Sequence, residues 1–294
     1  MKITALADVQ PRERRVAVGT FDGVHLGHRQ VISGSDSVLT FDPHPTVVVA
    51  PQHTPKLLTP LNVKAELIEQ LGVQELIVIA FDAAFSARSA QDFIDDVLVD
   101  TLRASHVSVG ENFRFGQRAQ GDTRMLAADP RFQTRVTPLL EVDGEIVSSS
   151  HIRGLVLAGE VAPAARFLGA PFQMRGEVVN GDKRGRELGF PTANLVPDDA
   201  LVCPGHGVYA CTAHVAGRRL AAAVNVGVRP TFVTGRGELV EAYLLDFDGD
   251  VYGSELRLDF TERLRGERRF ASADELVQQM HRDVAHTREI VQGC

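Results

Sequence analysis

Cysteine is scarce in this chain: three residues, Cys203, Cys211 and Cys294, an odd number with no CxxC pair. That argues against a disulfide framework and fits reduced thiols in a cytosol. Cys203 and Cys211 read as small core residues. Long hydrophobic runs are missing too. None approaches the ~20 residues a membrane span needs. The first eight residues, MKITALAD, lack the apolar stretch of a signal peptide. The chain is therefore expected to be soluble and cytoplasmic, with no membrane partner. A net charge of −7 argues against a general nucleic-acid binder. Neither GxxxxGK(S/T) nor GxGxxG occurs, so a kinase built on this chain is not of the Walker type. Tryptophan is absent, and aromatic residues make up only 6% of the chain. There is no internal repeat and no low-complexity segment.

What remains is enough for two ordinary domains: 294 residues, 44% of them hydrophobic. In the first half, short apolar runs at 16–19, 38–41, 75–81 and 106–110 read as buried strands. Apolar spacing over 62–71 and 90–103 reads as helix. Alternating strands and helices predict a doubly wound parallel α/β sheet, with ligands at the carboxyl ends of its strands. The segments 19–28 and 110–116 each follow a strand, so they are expected to meet at one edge. Two short helices, 148–158 and 162–168, close this domain, and Gly169-Ala170-Pro171 reads as the linker. The expected domains are 1–169 and 170–294. Beyond 170, strand-like runs at 173–179, 208–215, 221–226, 239–247 and 255–260 are separated by Gly, Pro and Asp turns, which predicts an antiparallel β-barrel. Ser272 with Glu275 reads as a capping box opening a C-terminal helix that runs to about Val291.

The most informative residues are GFPTAN at 189–194, behind the basic loop GDKRGREL at 181–188. Gly189 allows close backbone approach and Pro191 fixes φ. Thr192 and Asn194 alternate on a strand and so share a face. A hydroxyl and an amide oxygen on one face, behind Lys183, Arg184 and Arg186, suit a Mg²⁺-bound polyphosphate. A tight turn into a buried strand, with the basic residues solvated, is the plainer reading. Glu241 opens an apolar strand where a carboxylate breaks the pattern; it is either a general base or a solvated edge-strand acid. DFDGD at 246–250 lacks EF-hand spacing and reads as a β-turn.

These stretches resemble the riboflavin kinase family, whose PTAN signature matches 191–194. Also similar are GVYA at 207–210, NVGVRPTF at 225–232 and EAYLLDFDGDVYG at 241–253. In the first half, GTFDGVHLGH at 19–28 and TFDPHP at 40–45 resemble the nucleotidyltransferase module that bacterial bifunctional FAD synthetases fuse to riboflavin kinase. The resemblance covers nearly the whole chain. It implies that riboflavin is phosphorylated by ATP to FMN in the barrel, and that FMN is adenylylated to FAD in the α/β domain. Mg²⁺ held by Thr192 would bridge the ATP phosphates, with Asn194 beside them. Arg184 and Arg186 would meet charge during transfer, and Glu241 would take the proton from the riboflavin 5′-hydroxyl.

In the first domain His25 and His28 form the HxGH motif, whose imidazoles and following helix N-terminus would hold phosphate oxygens. A zinc pair and ordinary turn residues are the competing readings of these two histidines. Gly19 and Phe21 belong to the same ATP-binding turn. Asn112, in GENFRFG at 110–116, resembles part of the family's flavin-nucleotide loop, while Phe113 and Phe115 read equally well as core. Ser149, Ser150 and Arg153, in SSSHIR at 148–153, resemble a triphosphate-binding segment. Phe190 is assigned to flavin. For the isoalloxazine slot, Phe232, Tyr243, Phe260 and Phe270 are candidates, with barrel core as the default for each.

Three departures stand out. The stretch from His28 to Thr40 is short for the family and contains SGSDS at 33–37, so the crossover helix is expected to have two turns or fewer. Ile146 stands where a basic residue is common, and His151 where small or basic residues are usual. They leave two further readings: a riboflavin kinase with a degenerate first domain, and a non-catalytic flavin or nucleotide sensor. The sequence sets no oligomeric state.

Overall fold

The computed structural model describes residues 1–179, 189–228 and 238–292. Arg184, Arg186 and the rest of the basic loop lie outside the described residues, as do Phe232 and Cys294. The chain divides into two compact units, 1–149 and 150–294.

The first unit is a parallel sheet. Strands β1 (Lys2–Ala5), β2 (Arg14–Val18), β3 (Ser37–Asp42), β4 (Glu75–Ala80), β5 (Ala104–Gly110) and β6 (Gln133–Thr137) lie in the order β1-β4-β3-β2-β5-β6. The described helices of this unit are α1 (Leu26–Ile32), α2 (Pro45–Val49), α3 (Leu61–Glu69), α4 (Ala83–Ser86), α5 (Ala90–Asp92) and α6 (Thr123–Ala128). The strands are apolar on both faces because both are covered. Val16, Val18, Leu39 and Val107 pack with Phe93, Ile94 and Leu98 on one side. Ala17, Val38 and Leu76 pack with Ile32 and Ile68 on the other. Strand order reverses at β2, between β3 and β5, so a crevice forms beyond the carboxyl ends of β2 and β5.

The strands β1 and β6 escape the sequence reading because they lie at the edges, where most side chains are exposed and the apolar run is lost. The helix read at 90–103 exists, but its bonding widens after α5 into a π-helix, Phe93–Thr101. Helix α1 has seven residues, just under two turns, as the polar 33–37 segment predicts.

In the second unit, β9 (Phe172–Val179), β10 (Thr192–Leu195), β11 (Gly207–Val215), β12 (Arg218–Val228), β13 (Glu238–Leu244) and β14 (Glu255–Arg265) close a barrel in the order β10-β13-β12-β11-β14-β9, with every pairing antiparallel. A short hairpin, β7 (Glu141–Val142) with β8 (Glu145–Ile146), ends the first unit. Helices α7 (Ser149–Ala158) and α8 (Val161–Leu168) follow it, and α9 (Ala273–Gln292) closes the chain. The sequence reading puts the domain boundary at Gly169, whereas the contact division falls after Ser149. The reason is packing: α8 buries Val161, Ala164, Phe167 and Leu168 and contacts β9 and β14. Ser272 caps α9, accepting from the Glu275 N–H at 3.2 Å. The Glu275 carboxylate reaches one residue further back than a capping box requires, to the Ala271 N–H.

Candidate active sites

The turn after β2 is held from several remote directions. The Gly19 N–H donates to the Leu39 carbonyl at 3.1 Å. The Thr20 carbonyl accepts from the Lys64 ammonium at 2.7 Å and the Thr40 hydroxyl at 3.2 Å. The Asp22 carboxylate accepts from the Leu58 and Thr59 N–H groups, and the Thr59 hydroxyl accepts from Gly23. The Ser149 hydroxyl donates to the Asp22 carbonyl at 2.9 Å. Those bonds hold Phe21 at φ +49° and Val24 at φ +41°, a left-handed backbone rare for bulky and β-branched side chains. The Phe21 ring lies over Gly19; a Cβ there would sit 3.0 Å from two of its carbons. Only glycine fits without displacing the ring.

The same turn sets the histidines. His25 is the N-cap of α1, and its Nδ1 accepts from the His28 N–H at 3.2 Å. A neutral His25 therefore carries its proton on Nε2. The two rings stack with centroids 3.5 Å apart, and His28 meets Phe21 edge-on at 5.3 Å. Burial pushes His25 down to about 4. Burial also holds His28 well below its ordinary value, and the charges of His25 and Lys64 push the same way. Two stacked imidazoles are tolerable only while uncharged. As neutral rings they can each offer one N–H to an anion. The His28 Nδ1 is buried and makes no hydrogen bond among the described residues.

Gly19, Phe21, His28 and Asn112 line one cavity of about 740 Å³, so the 19–28 and 110–116 loops do meet at one edge of the sheet. Its apolar wall is phenylalanine: Phe41, Phe81, Phe85, Phe93, Phe113 and Phe115 all border it, in edge-on, tilted or stacked contact with one another. The scarcity of aromatics is thus offset by concentrating them in one place. No group of three or more His, Cys, Asp or Glu placed to hold a metal occurs among the described residues. Ser150 and Arg153 fall in the second unit, along α7.

In the barrel, strand register builds the second site. Asn194 of β10 lies opposite Glu241 of β13, which lies opposite Asn225 of β12. Thr192 lies opposite Tyr243. Val240, Ala242 and Leu244 are buried in the barrel, so alternation turns Glu241 and Tyr243 to the other face. Asn225 donates to the Glu241 carboxylate at 3.4 Å, a long bond. Because β13 runs between β10 and β12, Glu241 is not the edge-strand acid of the plainer reading. Thr192 and Asn194 share a face as expected, and their hydroxyl and amide groups fit a cation that also takes phosphate oxygens. The Asn194 amide nitrogen donates to the Thr192 carbonyl at 3.4 Å. Phe190 is buried, edge-on to Tyr243 and to His281 of α9, with both centroids at 5.1 Å. Phe260 packs between Phe172 and Tyr209 in the barrel core, and Phe270 lies against Arg265 and Arg268. DFDGD is a turn: Asp246 pairs with Arg288, and Asp250 accepts from the Tyr252 N–H.

Sequence reasoning assigns no role to Lys64, Asn225 or His281. Lys64 leaves a signal: it sits among Val63, Ala65 and Ile68 on the buried face of α3, where lysine is rare. Asn225 opens the NVGVRPTF stretch at 225–232 but only strand register shows its partner, and His281 leaves no signal, since helix docking brings it to Phe190.

Comparison with known proteins follows this division. A FAD synthetase family model matches residues 8–151 and a riboflavin kinase model matches 168–291. The chain is similar to bifunctional riboflavin kinase/FMN adenylyltransferases of Listeria monocytogenes (37% identical, 93% of this chain and 91% of that one), Bacillus subtilis (38%, 91% and 89%) and Escherichia coli K12 (37%, 93% and 91%). A crystal structure described as a macrolide-efflux protein from Streptococcus pneumoniae has the same fold, with a TM-score of 0.90 at 29% identity over 98% of this chain and 99% of that one. Among the described residues no helix is long and apolar enough to cross a membrane. With both halves matched in order and relatives aligned over nearly their full length, the chain belongs to the family of bifunctional riboflavin kinases/FMN adenylyltransferases.

Proposed function

We propose that the barrel unit phosphorylates riboflavin and that the α/β unit adenylylates the resulting FMN. In the first reaction Glu241 takes the proton of the riboflavin 5′-hydroxyl, whose oxygen attacks the γ-phosphorus of ATP as ADP leaves. The observation that carries this reading is the row Asn194–Glu241–Asn225, which sets one carboxylate between two amides on the face shared with Thr192. Thr192 and Asn194 would hold Mg²⁺, which supplies charge neutralisation to the ATP phosphates when bound. Arg184 and Arg186 are the proposed partners of the developing charge, and Phe190 borders the flavin.

In the second reaction an FMN phosphate oxygen attacks the α-phosphorus of ATP and pyrophosphate leaves. No covalent enzyme intermediate is needed. His25 and His28, uncharged, donate hydrogen bonds to phosphate oxygens as charge builds, beside the glycine backbone of the 19–28 turn. Asn112 and the phenylalanine wall supply a polar contact and an apolar slot for the flavin. Ser149, Ser150 and Arg153 are proposed for the triphosphate. ATP, riboflavin, FMN and FAD are then the partners, and the cytoplasm is the proposed place of work.

Purified protein given riboflavin, ATP and Mg²⁺ is expected to make FMN and then FAD. One observation favours a second reading: α1 is under two turns, and the adjoining hairpin carries Ile146, half exposed, where the family commonly has a basic residue. That reading predicts FMN accumulating with no FAD, which chromatography of the products distinguishes.

A further inference from the structure

Among the described residues, Lys64 is a buried cation tied directly to the turn of the first site. Its side chain enters from α3 and is 6% exposed as a residue, yet it belongs to neither histidine motif. Its ammonium donates to the Thr20 carbonyl at 2.7 Å, shorter than the bonds that Thr40, Leu58, Thr59 and Ser149 make to the same turn. The only other described donor to that carbonyl is the Thr40 hydroxyl, at 3.2 Å. Thr20 sits between Gly19, which must stay bare, and Phe21, which is held in a left-handed backbone. Such a backbone persists only where its surroundings over-determine it.

We infer that Lys64 is a positioning residue for adenylyl transfer: by clamping Thr20 it holds the turn, and with it Phe21 and His28, in place on the cavity wall. This rests on the adenylyl-transfer reading of the first unit. The clamp also carries charge. Burial pushes Lys64 below its ordinary value, and the charges of Asp22 and Asp42 act against that push in favour of the ammonium. Without the ammonium, an incoming polyphosphate would approach Asp22 and Asp42 with one positive charge fewer nearby. Lys64 and His25 also disfavour a proton on His28, so the ammonium helps keep that ring neutral. The charged and titratable groups acting on this pair are His25, on His28, and Asp22 and Asp42, on Lys64, so removing Lys64 takes away a positive charge that disfavours a proton on His28.

The test uses the full-length protein and the variants Lys64→Met, Lys64→Arg and Thr40→Val. Each is assayed for FAD formation from supplied FMN and for FMN formation from riboflavin, and His28 is titrated by NMR. Lys64→Met is expected to lower kcat for FAD formation about 100-fold, the scale of a misplaced catalytic group, with a smaller change in KM for FMN. Its His28 should titrate at higher pH than in wild type, because a positive neighbour that disfavours its proton is gone. Lys64→Arg should recover part of kcat and restore the His28 titration. Thr40→Val, losing a bond but no charge, should reduce FAD formation a few-fold without moving His28. Circular dichroism and the urea-unfolding transition, compared with wild type, report whether the substituted unit is folded. Full FAD formation in Lys64→Met overturns the inference, and so does a loss with an unmoved His28 titration. Wild-type protein that makes no FAD would instead sink the adenylyl-transfer reading, while the His28 titration in Lys64→Met still decides whether Lys64 governs that ring.

Discussion

The two units hold their polar groups by opposite means. In the barrel, Asn194, Glu241 and Asn225 are aligned by strand register, and a long hydrogen bond joins Asn225 to Glu241 within the row. In the α/β unit no ladder is available beyond β2, so the 19–28 turn is tied by side chains and backbone from residues 40, 58, 59, 64 and 149. A ladder positions side chains through backbone bonds that most substitutions leave intact. A strained loop depends on each of its ties. The comparison predicts that the barrel site is sensitive at the reacting group itself, while the α/β site is sensitive at its supports as well.

The largest expected effect is Glu241→Ala, which should lower FMN formation by about 100-fold or more, in the range of a lost general base. FAD formation from supplied FMN should be unchanged. Full kinase activity in that variant would remove Glu241 from the mechanism, and loss of both products would argue that the units are not independent. Next, His28→Ala should lower FAD formation about 100-fold, the scale of one lost oxyanion donor, with FMN formation near wild type.

A third prediction concerns acid. The folded value of His25 is about 4, against 6.5 for the free side chain. Between those pH values the unfolded chain binds a proton that the folded unit refuses. Stability is therefore whole above pH 6.5 and is lost as pH falls toward 4, by roughly 3 kcal/mol from this ring. His25→Asn keeps a capping side chain and removes the titration, so chemical denaturation of the variant should show a shallower decline over that window. The smallest expected effect is Gly19→Ala. The added methyl meets the Phe21 ring and should cost about 1–3 kcal/mol, with a matching loss of FAD formation and an intact kinase. If Gly19→Ala left FAD formation untouched, the contrast between a tied loop and a ladder would lose its main support.

Much of this was legible in the residues because local chemistry is local. The apolar run that follows Glu241 marked the carboxylate as out of place, and the structure accounts for it: Val240 and Ala242 are buried while Glu241 alternates to the other face. The short, polar 33–37 segment forecast the seven-residue α1. Edge strands β1 and β6 were not legible, since a half-exposed strand loses its apolar signature. Phe113 and Phe115 were ambiguous in sequence. They wall the cavity and stack on each other, which periodicity cannot distinguish from plain core.

By itself the sequence determined two separate folded units, a parallel sheet followed by a barrel, and the motifs each would carry. Those follow from the order of apolar runs and turn residues, which the chain states directly. Only the tertiary structure decided the partners. Lys64 reached Thr20, Asn225 reached Glu241, and six scattered phenylalanines became one wall. Contacts across many residues depend on strand order and register, and in these units the same packing that buries the core sets both.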